Sequence, residues 1–338
     1  MNPGGTPPVL TPLPDLATLA NPHTYQGPST ATLAWAGIEQ LAEPGEPALP
    51  VTVTSYEQAG TRQVEVTDVS RIVAVDIAGS IAITLAGLGL TDHLVGRDTS
   101  TELPGTQQLP EVTRGGHTLS PEAVLALRPT LVLTDGSVGP LDAFAQLRDA
   151  GIPVVFVGQN VGFDGAQELA RRVGAAVGLP DAGQALADRI GAEVADVRAQ
   201  VQAVAPAPGE RLRMAFVYLR GTAGVYYVFG SSAGAGELIE ALGGVDAAAD
   251  AGVGEMVPLT DEAMLAVNPD VILVMTDGLA SVGGVDGLIA DRPAIALTQA
   301  GINRRVVDMA DREMLAFGPR SAAVLYALAR AIYAPEAP

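Results

Sequence analysis

The sequence contains no cysteine and no lysine, so its 19 basic residues are all arginine. Lack of cysteine excludes disulfides, thiolate metal sites and cysteine nucleophiles. Long apolar runs are missing as well. Although 48% of the chain is hydrophobic, no stretch approaches the roughly 18–20 residues that span a bilayer. An excess of cations is also missing: 38 acidic residues give a formal charge of −19. Binding to phosphate needs clustered cations, so no nucleic acid and no anionic membrane surface is expected as a main partner. The opening Met1-Asn2-Pro3-Gly4-Gly5 has neither a charged n-region nor an apolar h-region, so no signal peptide is read there. The expectation is a cytoplasmic protein, or one from which a targeting segment has been removed. The initiator Met before a Pro/Thr-rich run favours the second.

What is present fits two domains, since 338 residues suffice for two cores. Residues 1–48 read as a lead-in, with the Pro-, Gly- and Thr-rich 1–30 as a tether. Val51, Val53 and Ser55, then Val64, Val66 and Asp68, alternate around the turn-like Gln58-Ala59-Gly60-Thr61, which predicts a β-hairpin. From the strand Arg71–Asp76 onward, short Val/Ile/Leu runs alternate with helical segments through Val157, the pattern of a parallel α/β lobe over 49–180. Leu186, Ile190, Val194, Val197, Val201 and Val204 then fall on one helical face. They predict a single long helix over 181–205, stopped by Pro206-Ala207-Pro208-Gly209. A second α/β series fills 206–338.

That second series repeats the first. Leu119-Ser-Pro-Glu122 through Pro129 and Leu131–Gly136 match Leu259-Thr-Asp-Glu262 through Pro269 and Val271–Gly278. Leu88-Gly89 answers Leu242-Gly243, and Arg71–Asp76 answers Arg213–Tyr218. The expected architecture is therefore two Rossmann-like lobes joined by one long interlobe helix, with a ligand cleft between them.

The motif Ser/Thr-x-Glu, continuing to a Pro before an apolar strand, resembles one found once per lobe in the binding proteins for haem, iron-siderophores and cobalamin. The resemblance covers about residues 49–334. Within that family, Arg114-Gly-Gly-His117-Thr-Leu-Ser120 and Val217-Tyr218-Leu-Arg220-Gly221 look most like haem-binding lipoproteins of actinobacterial haem ABC importers. The resemblance implies that His117 and Tyr218 are axial ligands of haem iron, with Arg220 beside the tyrosine. It implies Glu122 and Glu262 as docking contacts for arginines of the importer's membrane subunits. The implied partners are haem, the permease and ATPase of the importer, and haem-delivering surface proteins. The implied location is extracytoplasmic and lipid-anchored. Relatives carry a lipobox cysteine, none occurs here, and removal with a leader is the expectation.

The residue chemistry agrees. Imidazole and phenolate are standard donors to ferric haem. A phenol with a pKa near ~10 needs a cation beside it to ionise, and arginine is always charged. Residues two apart in a strand share a side, so Arg220 is expected beside the Tyr218 oxygen. Tyr218 ends the first strand of its lobe, where open α/β sheets place ligands. His117 is expected in a glycine-flanked loop entering a helix over 118–127. Met256 and Met275 are candidates for a porphyrin face. Tyr226 and Tyr227 alternate faces, and one is expected to stack on the ring or to replace Tyr218. Arg97 and Arg114 are candidates for the propionates. His93 and His23 are poorer ligand candidates.

An enzyme is the main rival. No HExxH motif is present and no glycine-rich phosphate loop follows a strand; Ala78-Gly79-Ser80-Ile81 lacks the lysine of such loops. The nearer rival is the same fold carrying a ferric siderophore or cobalamin.

Overall fold

The computed structural model describes residues 7–336 except 160 and 231–233. The chain divides into two compact units. One is built on Trp35–Glu193 with Ala316–Ser321, the other on Val9–Ala34, Val194–Leu315 and the residues from Ala322 onward.

The first unit holds a four-stranded parallel sheet in the order Leu94–Arg97, Ile72–Val75, Leu131–Thr134, Val154–Phe156. Ile72–Val75 and Leu131–Thr134 are buried at every position, as expected of apolar strands covered on both faces. The predicted hairpin is present: Val51–Glu57 pairs with Gly60–Val66 around a two-residue turn. A helix Gly162–Ala176 adds to the expected alternation. It crosses the long helix Pro180–Val204 closely enough that a Cβ on Gly183 would lie 2.8 Å from the Ala170 carbonyl oxygen. Leu186, Ile190, Val194, Val197 and Val201 on the long helix are buried, as their spacing predicts.

In the second unit, Ser29–Ala31, Val306–Met309, Val271–Met275 and Arg213–Arg220 run parallel in that order. Val225–Val228 and Val257–Pro258 continue the sheet antiparallel.

The internal repeat appears as matched register. Ile72 faces Leu131 in one sheet, and the corresponding Met214 faces Val271 in the other. Ser120 and Thr260 cap the next helices by accepting from the amides of Ala123 and Ala263. Those helices are followed by Arg128 and Asn268, each left-handed, with φ of 48° and 36°. Arg71 donates to the Leu127 carbonyl and Arg213 to the equivalent Val267 carbonyl, which satisfies helix C-terminal oxygens in both units.

The terminal regions correct the expected boundaries. Residues 9–34 are not a tether: they belong to the second unit, where Ser29–Ala31 is an edge strand and Leu13 is fully buried. The cause is Arg305, 2% exposed, which donates to Gly27 O, Ser29 Oγ, Ala331 O and Ile332 O and stacks on Tyr25. Nor does 206–338 form one body, because Ala316–Ser321 belongs to the first unit. There Phe317 meets Phe163 edge-on at 5.4 Å, and Arg320 donates to Ala36 O.

Candidate functional site

In the second unit, the first strand delivers Tyr218 and Arg220 to the C-terminal edge of the parallel sheet, the ligand edge of open α/β folds. Both are half-buried, whereas Val217 and Leu219 are fully buried on the opposite face. The alternation therefore holds, and it brings Arg220 against Tyr218. Its guanidinium lies over the Tyr218 ring, 4.6 Å from the centroid, in cation–π range. Asp311 holds that guanidinium: it accepts from Arg220 Nη2 at 2.7 Å and from the Asp277 amide at 2.8 Å. Arg220 also donates to Leu219 O and comes within 4.0 Å of the Met275 sulfur.

Tyr227 is the direct cross-strand partner of Tyr218, so the two share a face. Tyr226 pairs with Leu219, packs on the core, and donates to Asp291 at 3.1 Å with Arg292 over its ring. Burial, with the nearby Asp291 carboxylate adding to it, pushes the Tyr226 hydroxyl above its usual pKa. The alternative tyrosine is therefore Tyr227. Phe229 also stacks on Tyr218, with centroids 6.1 Å apart and an 18° interplanar angle. Tyr218, Tyr227, Phe229, Arg220, Met275 and Asp311 thus gather on one rim. Met256 is 49% exposed, in the loop before Val257.

Sequence reasoning missed Phe229 and Asp311. Phe229 continues the two-residue period of Tyr227, a usable signal. Asp311 lies 91 residues from Arg220, and only the adjacency of parallel strand ends joins them.

In the first unit, His117 is exposed at the tip of a small hairpin formed by Thr113–Arg114 and Thr118–Leu119. The helix expected over 118–127 starts later, at Pro121–Ala126, because Ser120 caps it and Thr118-Leu119 pair as strand. Gly115 and Gly116 both have positive φ, 55° and 93°, which a tight three-residue loop demands and other residues resist. The loop is held by the Gly139 amide donating to His117 O. Arg114, at the base of the hairpin, is exposed. Arg97 pairs with Glu111 at 3.3 Å, which leaves Arg114 the freer propionate candidate of the two.

Glu122 and Glu262 are both exposed at the second position of their helices. Hydrogen bonds from its own amide and from the Ser120 hydroxyl, with Arg114 nearby, hold Glu122 below the usual carboxylate range. The other histidines have backbone partners. His93 Nδ1 meets Val69 O at 2.7 Å, and His23 Nε2 meets Glu210 O at 2.8 Å.

Among the described residues no helix is long and apolar enough to cross a membrane, and no group of three His, Cys, Asp or Glu could hold a metal ion. Gly230-Ser-Ser-Ala-Gly234 fits the Gly-x-Ser-x-Gly pattern of hydrolase nucleophiles. Residues 231–233 lie outside the described ones.

A family profile described as periplasmic binding protein matches residues 73–313. A crystal structure of the haem-binding protein HmuT is 40% identical, covers 93% of this chain and 100% of its own, and superposes with a TM-score of 0.84. Structures of its variants with a tyrosine, a histidine or an arginine changed to alanine match as well, the tyrosine and arginine lying two positions apart. The periplasmic haem-binding protein RhuT from Roseiflexus sp. RS-1 is 38% identical over 79% of this chain and 98% of its own, with a TM-score of 0.70. An uncharacterized ABC transporter substrate-binding lipoprotein of Bacillus subtilis (strain 168), YvrC, is 26% identical over 84% of this chain and 86% of its own.

Proposed function

This chain belongs to the periplasmic binding protein family, and we propose that it is the haem receptor of an ABC importer, with His117 and Tyr218 as the axial ligands of the iron. The family and the structural neighbours are substrate-binding proteins, not enzymes. Extracytoplasmic placement and a lipid anchor follow the same reading, supported by the lipoprotein name of the Bacillus subtilis relative.

The observation that carries the ligand assignment is the rim around Tyr218. Its hydroxyl-bearing ring contacts both Phe229 and the Arg220 guanidinium, and Asp311 fixes that guanidinium. A phenol locked in orientation, beside a cation, suits a hard ferric centre. The Tyr-x-Arg spacing here equals the spacing of the tyrosine and arginine altered in HmuT. Tyr227 and Met275 supply flat and polarisable surface for a porphyrin. His117 offers an exposed imidazole from a glycine-supported loop. Arg114 is the candidate for a propionate, by charge-assisted hydrogen bonding.

The test is spectroscopic. Haemin titrated into the wild-type chain should give a saturable Soret shift that neither a ferric siderophore nor cobalamin suppresses. Tyr218→Ala and His117→Ala should each alter that spectrum. Haem transfer to apomyoglobin should become faster by at least the order of a hundredfold, the upper end of what loss of an outer-shell partner costs. Wild-type spectra and release rates in both variants would remove the ligand assignment. Efficient competition by a siderophore or cobalamin would change the cargo.

A further inference from the structure

His117 is exposed, and the first unit grips both arms of its hairpin. On the arm that follows it, Gly139 donates to His117 O at 3.2 Å and accepts from the Leu119 amide at 2.6 Å. On the arm that precedes it, Thr113 is buried and its Oγ1 accepts from the Thr99 amide at 2.9 Å. The hairpin is rooted in the core, where Val112, Leu119 and Val138 belong to one apolar cluster. Thr99 and Gly139 follow the strands Leu94–Arg97 and Leu131–Thr134, which flank Ile72–Val75 in the sheet. The exit of that central strand ties both flanks with two successive amides. Asp76 N donates to Asp98 Oδ2 at 2.8 Å, next to Thr99, and Ile77 N donates to Ser137 Oγ at 2.9 Å, just before Gly139. Ser137 in turn donates both its amide and its hydroxyl to Asp135, which closes the turn between strand and clamp.

We propose that Thr113 and Ser137 are positioning residues for His117: they lock the two loops that clamp its hairpin, so that the imidazole is presented to the iron in one orientation. This rests on the reading of His117 as an axial ligand. A hairpin with arms of two residues and two glycines at its tip has little stability of its own, so its order comes from what holds it. Tyr218 is steadied through its ring, by Phe229 and Arg220, whereas His117 is steadied through its backbone. The two hydroxyls are the side-chain members of that scaffold, one on each flank of the central strand. Groups that orient a metal ligand without touching the metal commonly change affinity by roughly ten- to a hundredfold.

The experiment uses the haem-loaded full chain and makes each change with His117 present and with His117→Ala. Ser137→Ala removes the acceptor of the Ile77 amide, and Thr113→Val keeps the branched shape while removing the acceptor of the Thr99 amide. With His117 present, each should speed haem transfer to apomyoglobin about tenfold and move the Soret band part of the way toward that of His117→Ala. In the His117→Ala background neither should speed release further, because the group they position is gone. Ser137→Thr and Thr113→Ser retain the hydroxyl and should keep the wild-type spectrum. The two variants strike opposite arms, so either one that folds, judged by far-ultraviolet circular dichroism, decides the matter. Equal acceleration with and without His117 would mean general loosening of the unit and overturn the inference. Wild-type spectra and release in the variants, alongside an altered His117→Ala, would overturn it as well and leave the ligand reading standing. A silent His117→Ala would sink the ligand reading itself.

Discussion

At matched positions of the two sheets, the first strand of one unit runs into Asp76 and that of the other ends on Tyr218 and Arg220. Asp76 is 3% exposed and accepts the amides of Ser80 and Ile81, while its own amide donates to Asp98. Asp98 in turn accepts from the amide and hydroxyl of Thr101, and Asp135 from those of Ser137. Burial, with repulsion from Asp98 and Asp135 adding to it, raises Asp76 well above the usual carboxylate range. Burial likewise raises Asp98 and Asp135. The rim of the first unit is thus a closed knot of like charges, satisfied by its own backbone. The rim of the second is an aromatic and cationic face, half open, with a single carboxylate turned toward a guanidinium. The strand register determines where rim groups stand and leaves their chemistry free to differ, so a duplicated scaffold can end the same strand in a structural knot in one half and in ligand candidates in the other.

The largest expected effect tests what only the second unit has, an edge strand taken from the N-terminal segment. Arg305 stays protonated although burial pulls its pKa down to about 10, and it joins residues 27–29 to 331–332. Arg305→Ala leaves several buried carbonyl oxygens without donors and should cost about 3 kcal/mol. Native-state hydrogen exchange should then show lost protection in Val306–Met309 while Ile72–Val75 and Leu131–Thr134 keep theirs. Equal loss in both sheets would mean that the two units do not open independently.

A smaller effect of opposite sign is expected in the first unit. Asp135→Asn keeps an oxygen for the Ser137 amide and hydroxyl, yet removes one charge from the knot. Because the folded-state pKa values of Asp76, Asp98 and Asp135 are raised, folding binds protons there, and wild-type stability falls as pH rises above the ordinary range near ~4. The variant should melt about 2–4 °C higher at pH 7.5, as a gain near 1 kcal/mol would give. The gain should vanish as pH drops toward 4. A constant difference across that range would show that repulsion is not its source.

Much of this frame was legible in the residues. The hairpin over 51–66, the strand at 131–134 and the long helix near 181–205 follow from period alone, and the duplicated Glu–Pro–strand motif predicted register-matched strands. The misses have physical causes. Pro- and Thr-rich residues 9–34 read as tether because Ser29–Ala31 is a three-residue strand whose anchor, Arg305, lies over 270 residues away. The helix Gly162–Ala176 carries Phe163, Ala166, Leu169 and Val173 at helical spacing, but three glycines lower its propensity. The hold of Asp311 on the Arg220 guanidinium over the Tyr218 ring was not legible, because no local pattern connects Asp311 to Arg220.

Asp311 gives the smallest effect and the sharpest contrast with Asp135. In Asp311→Asn the remaining oxygen can still accept the Asp277 amide, so the change removes mainly the ionic part of the contact with Arg220. Both partners are partly exposed, 34% and 21%, so water screens the pair and its loss should cost no more than about 1 kcal/mol. Removal of a carboxylate charge should therefore destabilise this rim where it stabilised the other. Salt separates the two further: at 1 M ionic strength the Debye length falls to about 3 Å, and the cost of Asp311→Asn should shrink toward zero. The gain from Asp135→Asn should largely persist, because burial sets it more than open-water attraction. Equal salt sensitivity in the two variants would mean that the rims differ in composition but not in electrostatic environment.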